Sequence, residues 1–201
     1  MATGSNSNAA YYNISNGKIC QSFKAMVEGA TERTTQTGKI VFEKFFDYID
    51  GLITNIETRE NEYGKQWVIT LLDQETGLSQ SLQFNYSSGY AAAFLKALPN
   101  VDLSKKVKIT PKLTVEGDKK KTTVFINQGG QACKWYFTKD NPNGLPELKQ
   151  IKVKGKITWD DSDCMEFLEN MVKNEIKPKL KGPSVAAPVV NADALEENAP
   201  F

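Results

Sequence analysis

Between residues 43 and 128 the period of the apolar side chains is mostly two, and a helical spacing interrupts it once. A period of two belongs to strands, because successive side chains leave opposite faces of the backbone. The chain must therefore bury sheet faces rather than helix stripes. "EKFFDYIDGLITNIE" (residues 43–57) is rich in aromatic and β-branched residues and holds Gly51 mid-way, where a strand bends or bulges. A strongly curved strand is expected. "GKQWVITLLD" (64–73) and "GLSQSLQFNY" (77–86) each follow a turn-prone stretch, which completes a three-strand meander.

The break is "SSGYAAAFLKALPN" (87–100). There Tyr90, Ala93, Phe94, Ala97 and Leu98 fall at helical spacing, with Ser88 as N-cap and Pro99 as stop. Alternation resumes in "KKVKITPKLTVE" (105–116), where Val107, Ile109, Leu113 and Val115 face away from Lys106, Lys108 and Lys112. "GDKK" turns the chain and "KTTVFINQ" (121–128) returns, giving a hairpin with a basic tip at Lys119, Lys120 and Lys121. Three strands, a helix and a two-strand hairpin is the element order of the OB-fold, a five-stranded Greek-key barrel. The expected class is thus mainly β, an OB-fold-like barrel whose coiled first strand bends at Gly51. "CKWYF" (133–137) predicts a further strand, and "ELKQIKVKGKITW" (147–159) another. In the latter Ile151, Val153, Ile157 and Trp159 alternate with Lys152, Lys154 and Lys156. A closing helix follows, with Cys164, Phe167, Leu168, Met171 and Val172 as its apolar stripe, aspartates at its start and Pro178 at its end.

With 201 residues, 40% of them hydrophobic, the chain supports one ordinary core. The net charge of +1 conceals a division. All 25 basic residues precede position 182, whereas three of the 24 acids follow it, leaving +4 in the body and −3 beyond. The last stretch has three prolines, many small residues and no amphipathic period, a composition that buries too little surface to offset its ordering entropy. The expected organisation is a flexible N-terminus (1–10), one nucleic-acid-binding domain (11–181) and a disordered acidic tail (182–201).

The chain has no histidine, which removes Ser-His, Cys-His and His-metal constellations. Cys20, Cys133 and Cys164 are scattered and odd in number, so neither a disulfide framework nor a zinc site is indicated. "NQGGQ" (127–131) lacks phosphate-cradle spacing and marks a bulge or turn. "WDDSD" (159–163) lacks the glycine and distal glutamate of a calcium loop and reads as a helix N-terminus. No catalytic residue, cofactor or metal is expected. No apolar run reaches membrane-spanning length and no signal peptide is evident, so the expectation is a cytoplasmic protein with no membrane partner.

Lysine ladders opposite apolar faces suit a nucleic-acid strand, whose phosphates lie along a positive groove. Lysines also protect exposed sheet edges from aggregation. Two ladders and a basic hairpin tip favour the groove. The candidate cations are Lys106, Lys108, Lys112, Lys119, Lys120, Lys121, Lys152, Lys154 and Lys156. Stacking on a ring contributes about 1–3 kcal/mol per base and tolerates any sequence. Trp67, Phe125, Trp135 and Tyr136 are the candidate rings, with Tyr63 in a turn as a further one.

The last residues, "LEENAPF", place acids before a Pro-Phe end. On an OB-fold-like body this resembles the single-stranded DNA-binding proteins of bacteria and their phages, whose C-terminal tip docks replication and repair enzymes. The resemblance implies that Phe201 and Pro200 anchor a partner enzyme while Glu196 and Glu197 steer it. It also implies a bacterial or phage setting in DNA replication, recombination or repair, with homo-oligomerisation open. An RNA-binding or chaperone-like OB protein, and a virion structural or interaction domain, remain alternatives.

Overall fold

The computed structural model describes residues 10–35, 38–62, 64–153 and 155–180. The tail from 182 onward, Tyr63 and Lys154 lie outside the described residues. Four strands come first: β1 (Ala10–Ser15), β2 (Lys18–Phe23), β3 (Thr31–Thr34) and β4 (Ile40–Phe46). The meander follows as β5 (Ile49–Asn61), β6 (Gly64–Leu72) and β7 (Ser79–Asn85), then helix α1 (Gly89–Ala97) and the hairpin β8 (Val107–Glu116) and β9 (Lys119–Gln128). The chain continues through β10 (Gln131–Ala132), β11 (Lys149–Val153), β12 (Lys156–Asp160) and α2 (Ser162–Met171). A π-turn, Val172–Ile176, and a 3-10 turn, Lys177–Lys179, extend α2.

Ten strands form one mixed sheet in the order β10-β9-β8-β5-β6-β7-β1-β2-β4-β3. Every neighbouring pair is antiparallel except β1–β7. The fold is mainly β as expected, but the sheet does not close into a barrel. The physical reason lies at the β7 edge, where β1 pairs in parallel from Ala10 with Gln80 to Asn13 with Gln83. That edge already has its hydrogen-bond partner. Asn16 and Gly17, with φ of 50° and 77°, form the tight turn between β1 and β2. This turn packs on β8, where a Cβ on Gly17 would lie 2.6 Å from the Leu113 nitrogen.

The expected strand 43–57 is two strands, broken at Asp47 and Tyr48. β4 pairs with β2 and β3, whereas β5 pairs with β6 and β8, so the break lets one apolar run serve two parts of the sheet. Ile49 to Gly51 pair with β8 and the ladder to β6 begins at Leu52, so β5 changes partner there. A side chain at Gly51 would meet the Leu72 carbonyl oxygen at 2.8 Å.

Residues 133–137 are not a strand. The Cys133 amide still donates to the Ile126 carbonyl of β9 at 2.7 Å, but the Tyr136 and Phe137 amides donate to the Lys96 carbonyl at 2.8 and 3.4 Å, so the segment leaves the sheet and caps α1. Residues 147–159 likewise hold a hairpin rather than one strand, turning at Gly155, with φ of 81°. α1 begins as its sequence predicts, with the Ser88 hydroxyl accepting from the Ala91 amide at 3.1 Å. One apolar cluster joins Ile19 of β2, the inner faces of β5–β9, α1 and Met165, Leu168 and Met171 of α2. Glu43, buried at 6% exposure, accepts two hydrogen bonds from Arg33 at 2.6 and 2.8 Å and fastens the edge strand β3.

Candidate nucleic-acid interface

Directly opposed residues of an antiparallel pair share a face. On the outer face of β8–β9, Lys108 stands beside Asn127, Thr110 beside Phe125, Lys112 beside Thr123, Thr114 beside Lys121 and Glu116 beside Lys119. Val107, Ile109, Val124 and Ile126 occupy the inner face and are buried, which fixes the orientation of the hairpin. Lys120 falls on the inner-face parity beside Val115, past the end of the core, and is exposed there.

Two rings accompany these lysines. Phe125 is 44% exposed in the middle of the face. Tyr48, at the entry to β5, is 45% exposed, and the Lys108 ammonium lies 3.6 Å from its ring centroid. Lys106 is differently placed: its ammonium meets Asp50 at 3.0 Å and Glu75 at 3.7 Å, and the hydrogen bond to Asp50 holds its pKa above the ordinary lysine value. Its charge is already balanced. Among the described residues Lys108, Lys112, Lys119, Lys120 and Lys121 have no ion pair.

Trp67 is corrected from a candidate stacking ring to a core ring. It is 1% exposed and lies parallel to Tyr86, centroids 5.7 Å apart. The reason is α2. Its Glu169 accepts from the Tyr86 hydroxyl and the Lys65 ammonium, each at 2.6 Å, and from the Thr58 hydroxyl at 3.3 Å, which seats the helix over this end of the sheet. Burial, aided by the bond to Glu169, pushes the Tyr86 phenol upward.

The remaining candidates gather elsewhere. Trp135 and Tyr136 are 42% and 41% exposed at the C-terminal end of α1, so neither is core; Phe137 is the buried ring. The Lys96 ammonium lies 6.0 Å from the Trp135 centroid. β11 and β12 form a separate two-stranded sheet in which Gln150 faces Trp159 and Lys152 faces Ile157. The turn at Gly155 therefore places Lys152 on the face that carries Ile157 and Trp159, where one continuous strand would have put it opposite. Lys156 opens β12, and only its backbone is described. Glu196, Glu197, Pro200 and Phe201 lie outside the described residues.

Tyr48, Lys96 and Trp159 join the candidates; alternation did not single out the first two and placed Trp159 on an apolar face opposite the lysines. Tyr48 lies between two strands and meets Lys108 only through the β5–β8 pairing, so no local signal identifies it. Trp159 carried a signal, since "VKG" and "KIT" read as a hairpin around Gly155. A groove of about 710 Å³ also opens between β1, β7 and β9. It is lined by amides such as Asn13, Gln66 and Gln83, and its one cation among the described residues, Arg33, is committed to Glu43. The aspartates at the start of α2 have local partners: Asp160 accepts from Ser162, and Asp163 pairs with Lys149. Among the described residues no helix is long and apolar enough to cross a membrane, and no cluster of three or more metal-ligating side chains occurs. No protein-family model, no curated protein and no solved structure matches the chain.

Proposed function

We propose that the chain is a non-enzymatic, sequence-tolerant single-stranded DNA-binding protein, and that the strand crosses the outer face of β8–β9. The observation that carries this reading is that face itself: Lys108, Lys112, Lys119 and Lys121 without ion pairs, set around the exposed rings of Phe125 and Tyr48. Cations at alternate positions track phosphates, and the rings stack bases without discriminating among them. The partner switch of β5 and the placement of α1 between β7 and β8 support an OB-fold ancestry for β5–β9, with the β1–β2 hairpin lodged where such a barrel would close. In this reading the acidic tail recruits replication, recombination or repair enzymes through Glu196, Glu197, Pro200 and Phe201.

Anisotropy of end-labelled oligo-dT, oligo-U and a duplex, each titrated with the full chain at several salt concentrations, tests the proposal. Oligo-dT should bind tightest, with log affinity falling against log salt by about 0.7 per phosphate neutralised. Tighter oligo-U binding would assign the face to RNA. No binding to either single strand overturns the reading.

A further inference from the structure

None of the three tryptophans lies on the β8–β9 face. Trp67 is core, and one of the two exposed indoles, Trp159, lines a different place, a groove of about 420 Å³ between α1, the loop at Leu145 and Pro146, β12 and α2. Ala92, Leu145, Pro146, Met165 and Leu168 give it an apolar floor, and Trp159, 61% exposed, forms a wall. Lys96 lines the groove, with Trp135 beside its ammonium, and Asp161 lines it as well. Among the described residues Lys96 has no ion pair. On the β11–β12 hairpin Lys152 shares a face with Trp159 and has no ion pair among the described residues, whereas Lys149 is paired with Asp163.

We propose that this groove is a second nucleotide subsite, which takes one base of the bound strand against Trp159 and sets the adjoining phosphate at Lys96. The inference rests on the single-strand-binding reading and extends it to a surface that reading does not use. Its volume suits a single base with its sugar, within the usual range of small-ligand sites. A ring wall with an apolar floor favours a π-faced ligand, and Lys96 and Lys152 favour an anionic one. A nucleotide is both. Asp161 repels phosphate and accepts from a base N–H, so it fixes the polarity: the phosphate at Lys96, the base edge towards α2.

The β8–β9 face has no indole, so strand binding there alone leaves tryptophan emission unchanged. This separates the two sites. The full chain and its Trp135→Phe, Trp159→Ala and Lys96→Ala variants are titrated with oligo-dT, reading anisotropy of the labelled strand and tryptophan emission in parallel. Trp135→Phe should keep a quenched signal from Trp159. Trp159→Ala should weaken binding roughly 5- to 150-fold, the range of one lost stacking contact, with an unchanged melting temperature because the side chain is exposed. Lys96→Ala should reduce the salt slope by about 0.7. Flat emission in Trp135→Phe, with wild-type affinity in Trp159→Ala, overturns the subsite while leaving the β8–β9 reading intact. A dimer that Trp159→Ala splits without altering oligo-dT affinity assigns the groove to a second copy and overturns it too. If the wild-type chain binds no single strand by anisotropy, both inferences fall together.

Discussion

Two clusters in this molecule are built from the same chemistry and meet opposite fates. On β6–β7, Lys65 lies 4.3 Å over the Tyr86 ring and Tyr86 stacks on Trp67. On β5–β8, Lys108 lies 3.6 Å over Tyr48, with Phe125 further along the same sheet. The first cluster is closed by α2, whose Glu169 neutralises Lys65 and binds Tyr86. The second is left open. What separates core from surface here is the destination of a helix about a hundred residues downstream, and no property of the strands records it. An aromatic beside a lysine is therefore weak evidence of a binding site until the covering element is known.

The largest expected effect breaks the covered cluster. Trp67→Ala removes a fully buried indole and should cost about 3–5 kcal/mol of stability. That corresponds to a drop of roughly 10 °C in melting temperature for a domain of this size. Oligo-dT affinity, measured well below the transition, should be unchanged. Scanning calorimetry and anisotropy on the same preparation check both halves. A variant that melts like wild type but binds weakly would reverse the assignment of the two clusters.

Phe125→Ala is the mirror-image experiment. It should lower single-strand affinity by about 1–3 kcal/mol while lowering the melting temperature much less than Trp67→Ala does, since the ring is 44% exposed. Lys112→Ala sharpens the same contrast by a smaller amount. It should reduce the slope of log affinity against log salt by about 0.7, whereas Lys106→Ala should change it less, because Asp50 already balances that charge. Equal slopes for the two lysine variants would show that the Asp50 pair does not survive in solution.

The strands β6–β9, the single inter-strand helix and its Ser88 cap were legible because local periodicity and capping chemistry decide them. Strands β1, β2 and β3 were not read at all, and β4 was merged with β5. Their one plain signal was Asn16–Gly17, the dipeptide of a tight hairpin turn, whereas β3, "TERT", is wholly exposed and has no apolar face to read. Topology was the least legible. The expected barrel closure fails because β1, 70 residues upstream, takes the β7 edge, and edge competition of this kind leaves no trace in either strand's pattern. The site divided in the same way. The β8–β9 ladder followed from alternation, but Tyr48 and Lys96 reach their partners only through tertiary contacts, and Trp67 was lost to α2.

The smallest expected effect tests the clamp that separates the clusters. Burial pushes the Glu169 carboxyl up, but the hydrogen bonds from Lys65, Tyr86 and Thr58 outweigh it and hold the pKa below the ordinary carboxylate value. A carboxylate whose folded pKa is depressed stabilises the fold above its unfolded value, and that contribution disappears as pH falls through the folded value. Melting temperature should therefore be insensitive to Glu169 titration near neutrality and fall on acidification below the ordinary glutamate range. Glu169→Gln retains the shape and an acceptor for Tyr86 but removes the charge, so part of that acid-dependent fall should vanish while neutral-pH stability drops modestly. On the open face, Tyr48 and Phe125 have no carboxylate clamp among the described residues. Strand affinity per folded molecule should then be the same in Glu169→Gln and wild type at neutral pH. If the variant instead gains tryptophan quenching by oligo-dT, α2 has lifted from Trp67, and the covered cluster has become a second binding face.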